Sequence, residues 1–192
     1  AHFSFSSDSE ITLEANPGDL TPEKIQGLRK LGINRISLGV QSFDAKALAF
    51  LGRTHTVSDA ETAIRRLMDA GFENLTIDLM YGFREQSLQD WQETLQRALS
   101  FEPAHLSCYQ LTVEPHTCFW KRVHAGRLLP IDEEEARTQF LVTSRFLEAH
   151  GYLHYEISSF ARDERCYARH NWKYWTHAPY LGLGPAAHSF LR

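Results

Sequence analysis

Three of the most polar side chains in this sequence occupy equivalent places. Glu14 stands late in an apolar-alternating segment at 11–15, Gln41 ends one at 35–41, and Asp78 stands late in one at 74–80. Each segment runs straight into loop chemistry: Asn16-Pro17-Gly18, Ser42-Phe43-Asp44 and Tyr81-Gly82. Two carboxylates and an amide at strand ends can accept from hydroxyl or ammonium groups, and the amide can donate as well. The same carboxylates could equally serve as the acid and base of a hydrolase or isomerase. Singly, each reads as well as a helix cap or a turn residue. Together, at matching strand positions, they point to a shared ligand site. The other reactive residues are dispersed. The ten histidines form no HxH, HExxH or Cys-His cluster, and Cys108, Cys118 and Cys166 are too few and too unevenly spaced for a disulfide framework.

The elements that must position these groups alternate along the chain. Segments with two-residue periodicity lie at 11–15, 35–41, 74–80, 105–112 and 152–158. In 35–41 one face is Ile36, Leu38 and Val40, and the other is Arg35, Ser37, Gly39 and Gln41. In 74–80, Leu75, Ile77 and Leu79 oppose Asn74, Thr76, Asp78 and Met80. Ile11 and Leu13 oppose Thr12 and Glu14; Leu153, Tyr155 and Ile157 oppose His154, Glu156 and Ser158. Between these segments lie helical patterns. Thr21-Pro22-Glu23 opens one that Gly32 ends. Ser58 and Glu61, spaced as a capping box, open a helix running through Ala70 to Gly71. Ser87 to Ser100 carries Leu88, Trp91, Leu95 and Leu99 on one face, and Asp132 to His150 carries Ala136, Phe140, Phe146 and Leu147 before Gly151. Residues 113–131, with Pro115, Gly126 and Pro130, read as one long irregular connection.

Strand and helix in alternation mean βαβ units and a parallel sheet. A doubly wound sheet, covered on both faces, has strands that are apolar throughout. A filled eight-stranded barrel packs its interior with branched apolar residues. Strands with one apolar and one polar face fit neither. They predict a partial parallel (β/α) barrel with helices outside and a polar lumen, its ligands held at the C-terminal rim of the strands. An incomplete barrel leaves a sheet edge open to unwanted pairing.

Composition narrows the function. The 192 residues, 43% hydrophobic and 23% charged, are those of an ordinary globular protein with a real core. A net charge of −4 argues against gripping a nucleic-acid backbone. No apolar run approaches the ~20 residues of a membrane span, and no secretory signal is visible, so the expected setting is the reducing cytoplasm. The first residue is Ala1 rather than Met, which suggests a piece of a longer protein.

Several motifs, in order, resemble one family. They are Glu14-Ala15-Asn16-Pro17, the run from Asn34 to Phe43, Leu51-Gly52-Arg53-Thr54-His55, Asp78-Leu79-Met80-Tyr81-Gly82, Tyr109 to Pro115, and Tyr180-Leu181-Gly182-Leu183-Gly184. Together they resemble the oxygen-independent coproporphyrinogen III oxidase group of radical S-adenosylmethionine (SAM) proteins, over nearly the whole chain from Glu10. The resemblance implies a TIM-like radical SAM barrel at 1–160, with 161–192 forming the last strand and loop region and the start of a C-terminal part. It implies SAM contacts from Glu14, Gln41, Arg53 and Asp78, with backbone contacts near Thr112 and Gly184. An arginine can fork onto the methionyl carboxylate, and the carboxylates can take ribose hydroxyls or the amino group. His170-Asn171-Trp172-Lys173-Tyr174-Trp175 is an HNxxYW motif, which marks the heme-chaperone branch of the group. His170 is then the candidate heme ligand, Tyr174 and the tryptophans can pack on the porphyrin, and His177 and His188 are weaker candidates.

The resemblance also implies a [4Fe-4S] cluster, held in the family by CxxxCxxC upstream of the position of Glu14. The thirteen residues before Glu14 contain no cysteine and no such motif occurs elsewhere, so this segment supplies neither metal ligands nor catalytic residues, and the cluster ligands are expected outside it. The leading expectation is a segment of a chaperone that binds heme and passes it to acceptor proteins. The alternative is the oxidase itself, decarboxylating coproporphyrinogen III by radical chemistry.

Overall fold

A computed structural model of the chain describes residues 6–191. Strands β1 (Thr12–Ala15), β2 (Arg35–Gln41), β3 (Asn74–Tyr81) and β4 (His105–Gln110) pair in parallel in chain order. Beyond β4 the sheet continues antiparallel, through β6 (Ser159–Ala161) to β5 (Leu153–His154), in the order β1-β2-β3-β4-β6-β5. The first and last strands are only four and two residues long, and short edges offer little to a foreign strand.

The helices form where their ends are signalled. Thr21 caps α1 (Pro22–Lys30), accepting from the Lys24 amide, and Gly32 leaves it with φ +82°. The short α2 (Ala45–Phe50) is capped by Asp44. Helix α3 (Val57–Asp69) starts two residues earlier than the Ser58/Glu61 spacing suggests. The capping box is Thr56 with Asp59, whose carboxylate takes both the Thr56 amide and hydroxyl. Glu61 instead pairs with Arg65 one turn along the same helix and with Arg97 from the helix that follows β3. Ser87 and Asp90 cap α4 (Leu88–Leu99), and Asp132 caps α6 (Glu133–Ala149).

Two expectations fail. The connection at 113–131 contains a helix, α5 (Cys118–His124), because the Thr117 hydroxyl accepts from the Trp120 amide and Gly126 closes it at φ +64°. Residues 152–158 are not a continuous strand with an apolar face. His154 bonds to the Ile157 carbonyl and the Glu156 carboxylate accepts from the Ser158 amide, and these local bonds fold the segment into a hairpin. Ile157 is left 62% exposed.

The apolar faces of β2, β3 and β4 carry Ile36, Leu38, Val40, Leu75, Ile77, Leu79 and Leu106, all at most 2% exposed. They pack under Ile64 and Leu67 of α3, Trp91 and Leu95 of α4, and Leu147 of α6. Trp91 is fully buried and donates its indole N–H to Thr143 on α6 at 2.7 Å. Trp91→Ala should therefore lower stability by about 3–5 kcal/mol, checked by denaturant unfolding monitored by circular dichroism.

Candidate functional site

The face of the sheet away from the helices is polar, as the alternation predicts. Parallel register sorts it into rows. Thr12 lies beside Arg35 and Asn74; Glu14 beside Ser37, Thr76 and His105; Gly39 beside Asp78, Ser107 and Ser159. Within the lower rows Arg35 is 4% exposed, and Thr76 and His105 are fully buried. Arg35 donates to the Thr76 hydroxyl, and His105 Nε2 lies 2.7 Å from the Tyr155 hydroxyl. Burial, with Arg35 adding to it, pushes the His105 imidazole down to about 3, so it is neutral. Arg35 Nε, His105 Nδ1 and Asn74 Oδ1 have no hydrogen-bond partner among the described residues.

Asp78 sits one row higher and is partly buried. Its two carboxylate oxygens accept from the Ser37 hydroxyl at 3.0 and 2.9 Å, and Ser107 offers a further hydroxyl. Burial pushes this carboxyl up to about 6. The Ser107 and Ser37 hydroxyls and the Arg35 charge oppose the rise, and Glu14 adds to it. Glu14 is exposed on β1, flanking Ser37 from the side opposite Asp78.

The upper rim closes over Gly39. A side chain there would come within 2.9 Å of the Gln41 amide nitrogen, 3.4 Å of the Arg53 guanidinium and 3.5 Å of Asn16 Oδ1. Arg53, from the turn between α2 and α3, donates to Asn16 Oδ1 and to the Gly39 carbonyl at 3.3 Å. Position 39 is therefore bare so that three polar groups can meet above it. Gln41 reaches this place from a β-bulge, with φ +69°.

Glu14, Gln41, Arg53 and Asp78 thus share one face and its C-terminal rim. Sequence reading passed over Asn16, Ser37 and Ser107 as site residues. Asn16 was legible two residues beyond Glu14 on the same face, whereas Ser37 and Ser107 acquire a role only through register with Asp78.

His170 is elsewhere. It is exposed on α7 (Arg169–Trp175), its Nε2 2.9 Å from the Tyr174 hydroxyl and the two rings edge to face at 5.2 Å. The start of α7 is held at the opposite, N-terminal mouth. The Ala168 amide donates to the Tyr155 hydroxyl at 3.1 Å, while Arg169 donates to the Asp8 carbonyl and lies 3.8 Å from its carboxylate. Tyr155, Tyr167 and Trp172 form an aromatic cluster beneath His105. Trp172, Tyr174 and Trp175 are 38%, 44% and 48% exposed. His188 is exposed and His177 lies just past α7 with φ +52°.

Residues 4–98 match the family model described as the radical SAM superfamily. That segment is a radical SAM domain. It is 43% identical over 184 residues to the heme chaperone HemW of Bacillus subtilis (strain 168), covering 95% of this chain and 48% of that protein. It is 40% identical over 185 residues to the heme chaperone HemW of Synechocystis sp. (strain ATCC 27184 / PCC 6803 / Kazusa), covering 96% and 44%. Among solved structures, the radical SAM enzyme coproporphyrinogen III oxidase (HemN) from Escherichia coli superposes with a TM-score of 0.83 at 25% identity, over 98% of this chain and 46% of that one. The chain spans about half the length of the curated relatives it matches.

The iron–sulfur cluster of radical SAM proteins finds no seat on the described residues. Cys108 is buried, Cys118 is exposed on α5 and Cys166 precedes α7, and no group of three or more His, Cys, Asp or Glu there could hold a metal ion. No helix among the described residues is long and apolar enough to cross a membrane.

Asp78 makes stability pH-dependent. Its folded pKa lies above the ordinary 3.8, so the folded state holds a proton that the unfolded chain has lost between about pH 4 and 6. Stability falls as pH rises through that window. Asp78→Asn should flatten this fall and be about 3 kcal/mol more stable than wild type at pH 7, converging with it below pH 4 in denaturant melts across pH.

Proposed function

We propose that this chain is the SAM-binding portion of a heme chaperone, with SAM at the C-terminal rim and heme on α7. The observation that carries the first part is the meeting of Asn16, Gln41 and Arg53 above Gly39, beside Asp78 and Glu14. SAM bears a sulfonium, an ammonium and a carboxylate. Arg53 offers a guanidinium to the carboxylate, and Glu14 and Asp78 offer acceptors to the ammonium and ribose hydroxyls. A bound cation favours the ionised form of Asp78, offsetting the cost of its burial. The ligands of the [4Fe-4S] cluster, which supplies reductive electron transfer to SAM in the family, would lie outside residues 1–192.

For heme, His170 is exposed, carries an imidazole suited to axial ligation and is flanked by solvent-facing Tyr174 and Trp175. Two relatives are named heme chaperones, and the HNxxYW run of those proteins' branch forms the whole of α7 after Arg169. The separation of the two mouths favours porphyrin as cargo over porphyrin as substrate. An oxidase must bring the porphyrin propionates to the SAM rim, whereas His170 stands at the other end of the strands. On this reading the whole protein works in the cytoplasm and gives its heme to acceptor proteins.

Both parts are testable on the full-length protein. Arg53→Ala and Asp78→Ala should each weaken SAM binding about 10- to 100-fold in calorimetric titration, leaving heme uptake intact. His170→Ala should shift the Soret band and weaken heme affinity, leaving SAM binding intact. An unchanged Soret spectrum would remove His170 as ligand, and unchanged SAM affinity in both rim variants would remove the rim as the SAM site.

A further inference from the structure

Gln41 is held in a backbone conformation that a glutamine does not choose. Its φ is +69°, and the Ser42 amide donates across it to the Val40 carbonyl at 2.9 Å. An amide-to-carbonyl bond spanning one residue of positive φ is a γ-turn of the rare, strained kind. Such strain costs about 1–3 kcal/mol and persists only where the surroundings enforce it.

Ser42 and His55 enforce it from either side. Ser42 is fully buried, its hydroxyl 3.3 Å from that of Thr94 on α4 and accepting from the Asp44 amide at 3.0 Å. That fixes the far side of the turn. On the near side the Val40 carbonyl has a second partner, His55 Nε2 at 3.1 Å. His55 is 6% exposed. A carbonyl can only accept, so Nε2 carries the proton. Desolvation lowers the pKa of the ring, the Val40 bond opposes this, and the neutral form has this one N–H to give. His55 and Arg53 leave the same turn after α2, Arg53 rising over Gly39 and His55 passing beneath the bulge. The bulge skips Val40 in the pairing with β3, so that Gln41 stands beside Leu79 directly after Gly39 beside Asp78.

We propose that His55 is the positioning residue of the SAM rim, donating from Nε2 to the Val40 carbonyl and so holding the strained turn that brings the Gln41 amide over Gly39. It touches no ligand and acts through Gln41. This inference rests on the reading of the rim as the SAM site.

The test is a double-mutant cycle on the full-length protein, with SAM itself titrated calorimetrically and thermal melts run in parallel. Gln41→Ala should weaken SAM binding about tenfold. His55→Ala should weaken it comparably, and the double variant should bind no worse than Gln41→Ala alone. His55→Gln, which keeps an amide donor of similar reach, should recover part of the affinity even where the melting temperature stays low. Wild-type affinity in His55→Ala, with Gln41→Ala impaired, overturns the positioning role and leaves the rim reading standing. Additive losses overturn it too, because a merely structural histidine would act independently of Gln41. Undiminished affinity in Gln41→Ala overturns the inference together with the assignment of Gln41 to the rim.

Discussion

A polar group taken out of water must find a partner, and this sheet has turned its polar face inward. That demand organises the interior. Arg35 reaches Thr76 across one strand gap, Ser37 reaches Asp78 across the same gap, and His105 reaches Tyr155 in the hairpin. The apolar face asks only for helices of sufficient width, and α3, α4 and α6 supply them. The polar face asks for register. A slip of one residue would turn these groups against Trp91 and Leu95 and strand them without partners, at about 1–3 kcal/mol each.

The partnering is incomplete, and unevenly so. Among the described residues, polar atoms on Arg35, Asn74 and His105 at the base lack a partner, while at the rim three polar side chains gather over Gly39. Arg53 already donates to Asn16 and to the Gly39 carbonyl, and the Gln41 amide lies over the same glycine. The rim is pre-ordered, so a ligand that replaces these contacts need not also freeze the side chains that make it welcome.

What was legible in the sequence followed from periodicity. A two-residue repeat places Ile36, Leu38 and Val40 on one side and Ser37, Gly39 and Gln41 on the other, and β2 obeys it up to Val40. Side chain against own backbone was harder to read. The Ser58/Glu61 spacing has the form of a capping box, but Thr56/Asp59 has it as well and forms it, while Glu61 pairs with Arg65 on its own helix and Arg97 on α4. The hairpin at 153–161 was missed because His154 and Glu156, alternating like strand residues, spend their side chains on nearby main chain. Of the rim's four expected side chains, Glu14, Gln41 and Asp78 are legible by type and by position along strands, whereas Arg53, in a turn between helices, is reached only through the family resemblance. His55 had no such signal, since nothing periodic links residue 55 to the carbonyl of residue 40.

Helix α7 bridges the base of the sheet, tied at its start to the β5–β6 hairpin through Tyr155 and to the approach of β1 through Asp8. The seven residues of β2 separate that end from the bulge at Gln41, about 20 Å of strand. Hydrogen atoms move only between groups in contact, whereas electrons can tunnel through intervening protein. A ring resting on the outer side of α7 would therefore be sheltered from any free-radical abstraction at the far opening, yet remain open to collision with a passing molecule.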